Sequence, residues 1–260
     1  VHDTLPEALA RCGYRNTVIY PLSESFVSNG KFYRAAGIPE IFDKKAQGAK
    51  TANERDHFYY GTLLNLLSSH IESSDQPLFT YLITMSAHGP YLQPYHPEVD
   101  VPGGAPGTLP EMHEYLRRLS MARVDLEDLK RQLAARFPGE PILLVQYGDH
   151  QPIATRHYLG YGNVNAAEDV AITRGSPGFL TYYSVEGINF PMPRLPEVDT
   201  LDVPFLSTVI LQSAGVPLSD SYLERRRLMN LCMGRYDGCP GGAMLKFHRR
   251  LIDSGLVQAR

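Results

Sequence analysis

Apolar positions along this chain fall into two patterns, short strand-length runs and longer stretches that recur every three or four residues. Leu5 to Cys12 (LPEALARC) has the helical beat with Pro6 in its first turn, and Gly13 stops it. Thr17 to Tyr20 (TVIY) is the first strand candidate, and Phe26 to Phe42 predicts short helices and loops. Arg55 to Ile71 lines up Phe58, Leu63, Leu66, Leu67 and Ile71 as a helical stripe. Leu78 to Met85 (LFTYLITM) is a second strand, held between Pro77 and the polar stretch SAHGP. Tyr91 to Pro110 is rich in Pro and Gly without a period, a surface loop of a length usually reserved for function or mobility. Glu111 to Phe137 is the strongest helix: Met112, Tyr115, Leu119, Ala122, Leu126, Leu129 and Leu133 share a face, and Glu127 and Arg131 stand four apart.

Pro138-Gly139 ends that helix and delivers the chain into PILLVQYGDHQPIATRH, Pro141 to His157. Ile142 to Val145 is an unbroken branched run, which fits a strand buried on both faces of a parallel sheet. Its end releases Tyr147, Gly148, Asp149 and His150, at the strand edge where open α/β sheets bind ligands. Asp149 and His150 offer a hard oxygen and a borderline nitrogen, suited to Zn²⁺ or Mn²⁺, and His157 follows within loop reach. Alone, the pair reads either as metal ligands or as a capped strand end with a surface histidine, because a metal set needs three or four groups. Further on, Phe179 to Ser184 (FLTYYS) is another strand, and Leu201 to Ala214 a helix with Asp202 as N-cap and Gly215 as stop. Alternating strands and helices predict an α/β fold with a largely parallel central sheet flanked by helices. If the Leu78 and Ile142 strands are parallel neighbours, His88, Asp149 and His150 lie on one sheet edge and, with His157, converge there.

Composition narrows this only a little. At 260 residues, with 43% hydrophobic and 20% charged residues, the chain can bury a sizeable core. A net charge of −3 with scattered Lys and Arg gives no footprint for nucleic acid. No apolar stretch is long enough to span a bilayer. The chain begins at Val1 without Met and reads as a processed product or an excised piece. His2, His57, His70, His96, His113 and His248 lack a convergent partner and read as ordinary surface or loop histidines. Tyr91, Tyr95, Tyr158 and Tyr161 either line an acceptor or head-group groove or simply pack.

FTYLITMSAHGPY (Phe79–Tyr91), followed by VQYGDHQP (Val145–Pro152), resembles the alkaline phosphatase/sulfatase superfamily. The branch it is most similar to contains lipoteichoic acid synthase and the phosphoglycerol and phosphoethanolamine transferases. LPEALARCGYRNTVIY, KFYRAAGIPEIFD and LDVPFLSTVILQSAGV resemble further family segments in the same order, so the resemblance spans roughly Leu5 to Val216. It implies an alkaline phosphatase-like fold and metal-dependent transfer or hydrolysis of phosphate esters on cell-envelope glycans or lipids. The metal is Zn²⁺ or Mn²⁺, or Mg²⁺ or Ca²⁺ in relatives. Asp149 and His150 match the downstream metal ligands, His88 a histidine that contacts the phosphoryl or leaving group, and His157 a second active-site histidine. A sulfatase, acting on sulfate esters, is the alternative within the enzyme class. A binding module that keeps the fold without chemistry is the alternative outside it.

The departures from the family pattern shape the remaining expectations. The family's nucleophile and acidic metal ligand precede the segment matched by LPEAL, where only Val1-His2-Asp3-Thr4 stand, and Thr4 lacks the surrounding motif. No nucleophile is therefore assigned. Residues 1–218 are expected to be a truncated catalytic domain with its N-terminal portion missing, and 219–260 a helical or irregular extension. Val27 and Asn29 stand where lipoteichoic acid synthase carries a Trp and an Arg for its glycerol phosphate head group. The resemblance also implies an extracytoplasmic location on a bacterial membrane, with the parent anchored through upstream transmembrane helices. In that compartment Cys232 and Cys239, separated by MGRYDG, are expected to be bridged; otherwise they are two buried thiols.

Overall fold

The structure, a computed structural model, describes residues 3–101, 109–155, 158–159, 175–194, 198–236 and 238–257. Its helices are α1 (Leu5–Arg11), α2 (Asn29–Ala35), α3 (Asp56–Ser73), α4 (Pro110–Arg136), α5 (Val203–Ser213), α6 (Asp220–Leu231) and α7 (Ala243–Asp253). Its strands are β1 (Arg15–Ile19), β2 (Glu40–Phe42), β3 (Leu78–Leu82), β4 (Ile142–Tyr147) and β5 (Tyr183–Ile188). Two compact units divide the chain. One comprises Val1–Lys45, Ser69–Leu82 and Phe190–Arg260, the other Ala46–Ser68 and Ile83–Asn189.

The first unit holds a parallel sheet of order β2-β1-β3, flanked by helices, as expected of an α/β chain. The central strand buries Thr17, Val18 and Ile19 completely. Thr17 Oγ1 lies 2.9 Å from Thr80 Oγ1, and the neighbouring Asn16 donates from Nδ2 to the carbonyls of Pro6 and Gly37. α1 starts on a capping box in which Thr4 Oγ1 and the Glu7 carboxylate each accept from the other's backbone N–H. Ala8 and Leu9 pack with Leu211 of α5 and Tyr222 of α6. Asp202 stands at the N-cap of α5, but its carboxylate accepts from the Tyr236 N–H at 2.5 Å rather than capping the helix. Cys232 and Cys239 are joined with their Cα atoms 4.7 Å apart, while Cys12 is free and exposed.

His70 departs from the surface role expected of it. It is 4% exposed, with Nε2 2.6 Å from the Gln76 carbonyl and Nδ1 3.1 Å from Arg15 Nη1. A carbonyl only accepts, so Nε2 carries the proton and Nδ1 accepts from Arg15, which also forks onto Glu40.

In the second unit β4 pairs with β5 antiparallel, in a two-stranded sheet separate from β3. The branched run Ile142–Val145 does form a strand, but it is half-buried and has no parallel neighbour among the described residues. Apolar branching specifies a strand and leaves the direction of its neighbour open. The stretch expected as a strand from Phe179 begins instead with a 3₁₀ turn at Pro177–Phe179, and regular pairing starts at Tyr183. Pro177 fixes its own φ and carries no N–H to donate, which favours a turn there. On α4 the pair expected between Glu127 and Arg131 is replaced by Lys130 on Glu127 and Arg131 on Asp128. Leu119 is exposed, and the buried face instead includes Glu114, Arg118 and Asp125 beside Met112, Met121, Leu126, Leu129 and Leu133.

Candidate active site

Gly148 ends β4 where a Cβ would meet the Thr181 Cβ at 3.2 Å. The bare backbone lets Thr181 approach and donate from Oγ1 to the Gly148 carbonyl at 2.7 Å. Beyond it the Asp149 and His150 side chains are 81% and 72% exposed, with Asp149 Oδ2 3.4 Å from His150 Nε2. Asp149 Oδ1 accepts from the His150 N–H at 2.9 Å, and His150 Nδ1 lies 3.2 Å from the Gln151 carbonyl. That carbonyl only accepts, so Nδ1 carries a proton toward it and Nε2 is the nitrogen that faces Asp149. This is how a ligating histidine is oriented by a partner behind it. Two ligands each about 2.0–2.1 Å from a tetrahedral ion lie about 3.3 Å apart, so the facing pair fits half of such a set. Among the described residues no third His, Cys, Asp or Glu joins them. His157 lies outside the described residues, as does Tyr161.

His88 stands on the segment that follows β3. Its ring is exposed, and Nδ1 lies 2.6 Å from the Gly89 carbonyl, which again leaves Nε2 as the outward nitrogen. Sheet pairing does not relate His88 to Asp149, because β3 and β4 belong to different sheets.

The groups around His88 escaped the sequence reading. Asp56, 2% exposed, accepts on Oδ1 from the N–H groups of Met85 and Ser86, and its own N–H donates to Ser86 Oγ. Burial raises the Asp56 carboxyl above its usual range despite these bonds. Glu114 and Arg118 of α4 are 7% and 5% exposed and joined at 2.7 Å. Burial pushes the Glu114 carboxyl up, but hydrogen bonds from Arg117, Arg118 and the Tyr95 N–H outweigh it and leave it below its usual range. Their signal in the sequence was a second stripe, Glu114, Arg118, Met121 and Asp125, at helical spacing beside the apolar one. Tyr91 and Tyr95 pack rather than line a groove: the Tyr91 hydroxyl, its pKa pushed up to about 12 by burial, donates to the Ala87 carbonyl. Tyr95 donates to the Asn53 carbonyl, and Tyr158 is 44% exposed, its hydroxyl accepting the Leu109 N–H. A cavity of about 130 Å³ lined by His57, Asp125, Asp128 and Arg136 contains none of the predicted site residues.

A family model described as Sulfatase matches residues 1–172. Lipoteichoic acid synthase 2 of Bacillus subtilis is 23% identical over 173 residues, 65% of this chain and 26% of that protein. An uncharacterized protein of Haemophilus influenzae is 24% identical over 193 residues, 73% of this chain and 33% of its own length. The chain thus spans about a third or less of the curated relatives it matches. Among solved structures, the Streptococcus pyogenes phosphoglycerol transferase GacH in complex with sn-glycerol-1-phosphate superposes with TM-score 0.63. It is 18% identical, with 92% of this chain and 59% of that one covered. The Listeria monocytogenes lipoteichoic acid synthase LtaP gives 0.53 at 20% identity, covering 70% and 45%. An alkaline phosphatase superfamily protein from Vibrio parahaemolyticus gives 0.57 at 15%, covering 85% and 52%.

Proposed function

This chain belongs to the sulfatase family, and from that premise we propose that it supplies part of the active site of a metal-dependent enzyme. The reaction is transfer or hydrolysis of phosphate esters, of the phosphoglycerol or phosphoethanolamine type, on cell-envelope glycans or lipids. One observation carries the reading: Asp149 and His150 face each other at 3.4 Å at the end of β4, with the ring proton turned away to Gln151. These two residues hold a divalent cation, Zn²⁺ or Mn²⁺ by their mixed donor set, or Mg²⁺ or Ca²⁺. Bound there, the metal supplies charge neutralisation at the phosphoryl oxygens. His88 presents Nε2 to the transferred or leaving group and holds or gives a proton there, and His157 assists.

No nucleophile or acidic third ligand is assigned within these residues. A binding module that keeps the fold is the second reading, favoured by the lack of a third metal ligand among the described residues. Among the described residues no helix is long and apolar enough to cross a membrane. We place the protein on the extracytoplasmic side of a bacterial membrane, anchored through its parent, and the Cys232–Cys239 bond supports an oxidising compartment.

The test is turnover of p-nitrophenyl phosphate against p-nitrophenyl sulfate by the complete gene product with Mn²⁺. Phosphate is expected to be preferred. Asp149→Ala and His150→Ala are expected to abolish turnover, and His88→Asn to lower it about 10²–10⁴-fold. Preference for the sulfate ester points to a sulfatase, and turnover untouched by all three changes rejects the assignment.

A further inference from the structure

We propose that Arg118 is a positioning residue for His88, gripping the backbone at His88 and just after it from within α4. The inference rests on the role given to His88 above, although its geometry stands apart from that role. The segment from Met85 to Tyr95 has no regular structure, so its carbonyls must find partners elsewhere. Arg118 provides them. Nη1 donates to the His88 carbonyl at 2.8 Å, and Nη2 to the carbonyls of Pro90 and Gln93, both at 3.0 Å. Nε donates to Glu114 Oε1 at 2.7 Å, which balances the charge and fixes the plane of the guanidinium.

The same group lies 5.1 Å from the Tyr91 ring centre and 4.9 Å from that of Tyr95. Both distances are within cation–π reach, so the rings attract the guanidinium where it sits. Glu114 is itself held by Arg117 and by the Tyr95 N–H, so the far end of the segment is tied to the same carboxylate. The peptide that Arg118 holds is the one bearing the His88 ring, whose Nδ1 turns inward to Gly89. The arginine therefore sets where Nε2 points without meeting substrate. A lysine cannot replace it, because an ammonium lacks the planar fork that reaches three carbonyls and a carboxylate together.

The experiment is a double-mutant cycle in the complete gene product, with Mn²⁺ and p-nitrophenyl phosphate. Arg118→Lys is expected to lower kcat about 10–100-fold with KM little changed, the cost of displacing a reacting group by about an ångström. Added to His88→Asn, Arg118→Lys is expected to cause no further loss, because the group it positions is gone. Hydrogen exchange of residues 85–95 is expected to quicken in Arg118→Lys while β4 and β5 keep their wild-type rates. Independent, multiplicative losses from the two changes, or unchanged exchange in 85–95, overturn the positioning role and leave the phosphoester reading standing.

If the wild type turns over no phosphoester, the functional reading fails by itself. The grip on His88 is then judged from exchange and from carbethoxylation of His88 by diethyl pyrocarbonate, expected to change in rate in Arg118→Lys and overturned by identical rates. Should Arg118→Lys not fold, Arg118→Gln, which keeps a planar NH₂ donor, goes through the same cycle.

Discussion

Around His88 the carbonyls of Ala87, His88, Gly89, Pro90 and Gln93 each end on a side-chain donor. Two buried side chains, Arg118 and Asp56, make five of the bonds that hold this backbone. Around Asp149 and His150 the side chains stand in solvent, and their own bonds reach only the next residue. Both stretches carry residues to which chemistry is assigned, yet one is wired before any ligand arrives and the other is open. A histidine that must face a reacting oxygen is useful only if its direction is fixed beforehand. A metal ligand is ordered by the cation itself, so exposure without the ion is compatible with its task.

The largest effect separating the two regions is expected on stability. Glu114→Ala leaves Arg117 and Arg118 without their shared carboxylate in a buried setting, which costs about 3–5 kcal/mol. Asp149→Ala removes an exposed carboxylate and should change stability by less than about 0.5 kcal/mol without metal. Urea unfolding of the two variants checks both figures. Equal losses would erase the contrast.

The pH dependence sharpens the comparison further, because the two buried carboxyls act in opposite directions. Glu114 lies below its ordinary range, so its contribution is complete above the unfolded pKa near 4.3 and is lost as pH falls through the lower native value. Asp56 lies above its ordinary range, so the native state keeps a proton that the unfolded chain has released. Its contribution is complete below about pH 3.9 and is lost as pH rises through the native value, at up to about 1.4 kcal/mol per unit. Asp56→Asn keeps an oxygen for the Met85 and Ser86 N–H groups. The variant should equal or exceed the wild type at neutral pH and lose that advantage toward pH 4. Unfolding curves that stay parallel across this range would rule out the raised carboxyl.

Much of this was legible beforehand. Most helices and the strands β1, β3 and β4 followed from periodicity, whereas β2 lies in a stretch read as short helices and loops and β5 starts later than expected. Asp149-His150 stood out because an acid-imidazole pair leaves the end of an apolar run. The direction of the partner of β4 was not legible, since it depends on Tyr183–Ile188 returning antiparallel from a distant stretch. The Arg118 grip was hidden for a different reason. Glu114 and Arg118 are ordinary i, i+4 charges in sequence, and only the packing of the Pro-rich segment over them makes them interior. His70 was misread likewise: Arg15 and the Gln76 carbonyl, which bury it, adjoin it only in the fold.

The smallest expected effect probes the open end of β4. Two of four ligands give a weak site, so these residues alone should take up Mn²⁺ or Zn²⁺ poorly in calorimetric titration. Their unfolding midpoint should hardly move on adding the ion, because stabilisation grows as the logarithm of one plus the ratio of free ion to Kd, and that ratio stays small at a weak site. In the complete gene product, where the remaining ligands are expected, the ion at about a hundred times its Kd should add about 2.7 kcal/mol. Asp149→Asn should lose most of that gain while matching the wild type without metal, since an exposed amide replaces an exposed carboxylate of the same shape. A variant that keeps the full metal response would take Asp149 out of the ligand set. One that is unstable without metal would show that the end of β4 carries structural weight, and its contrast with the His88 segment would then lapse.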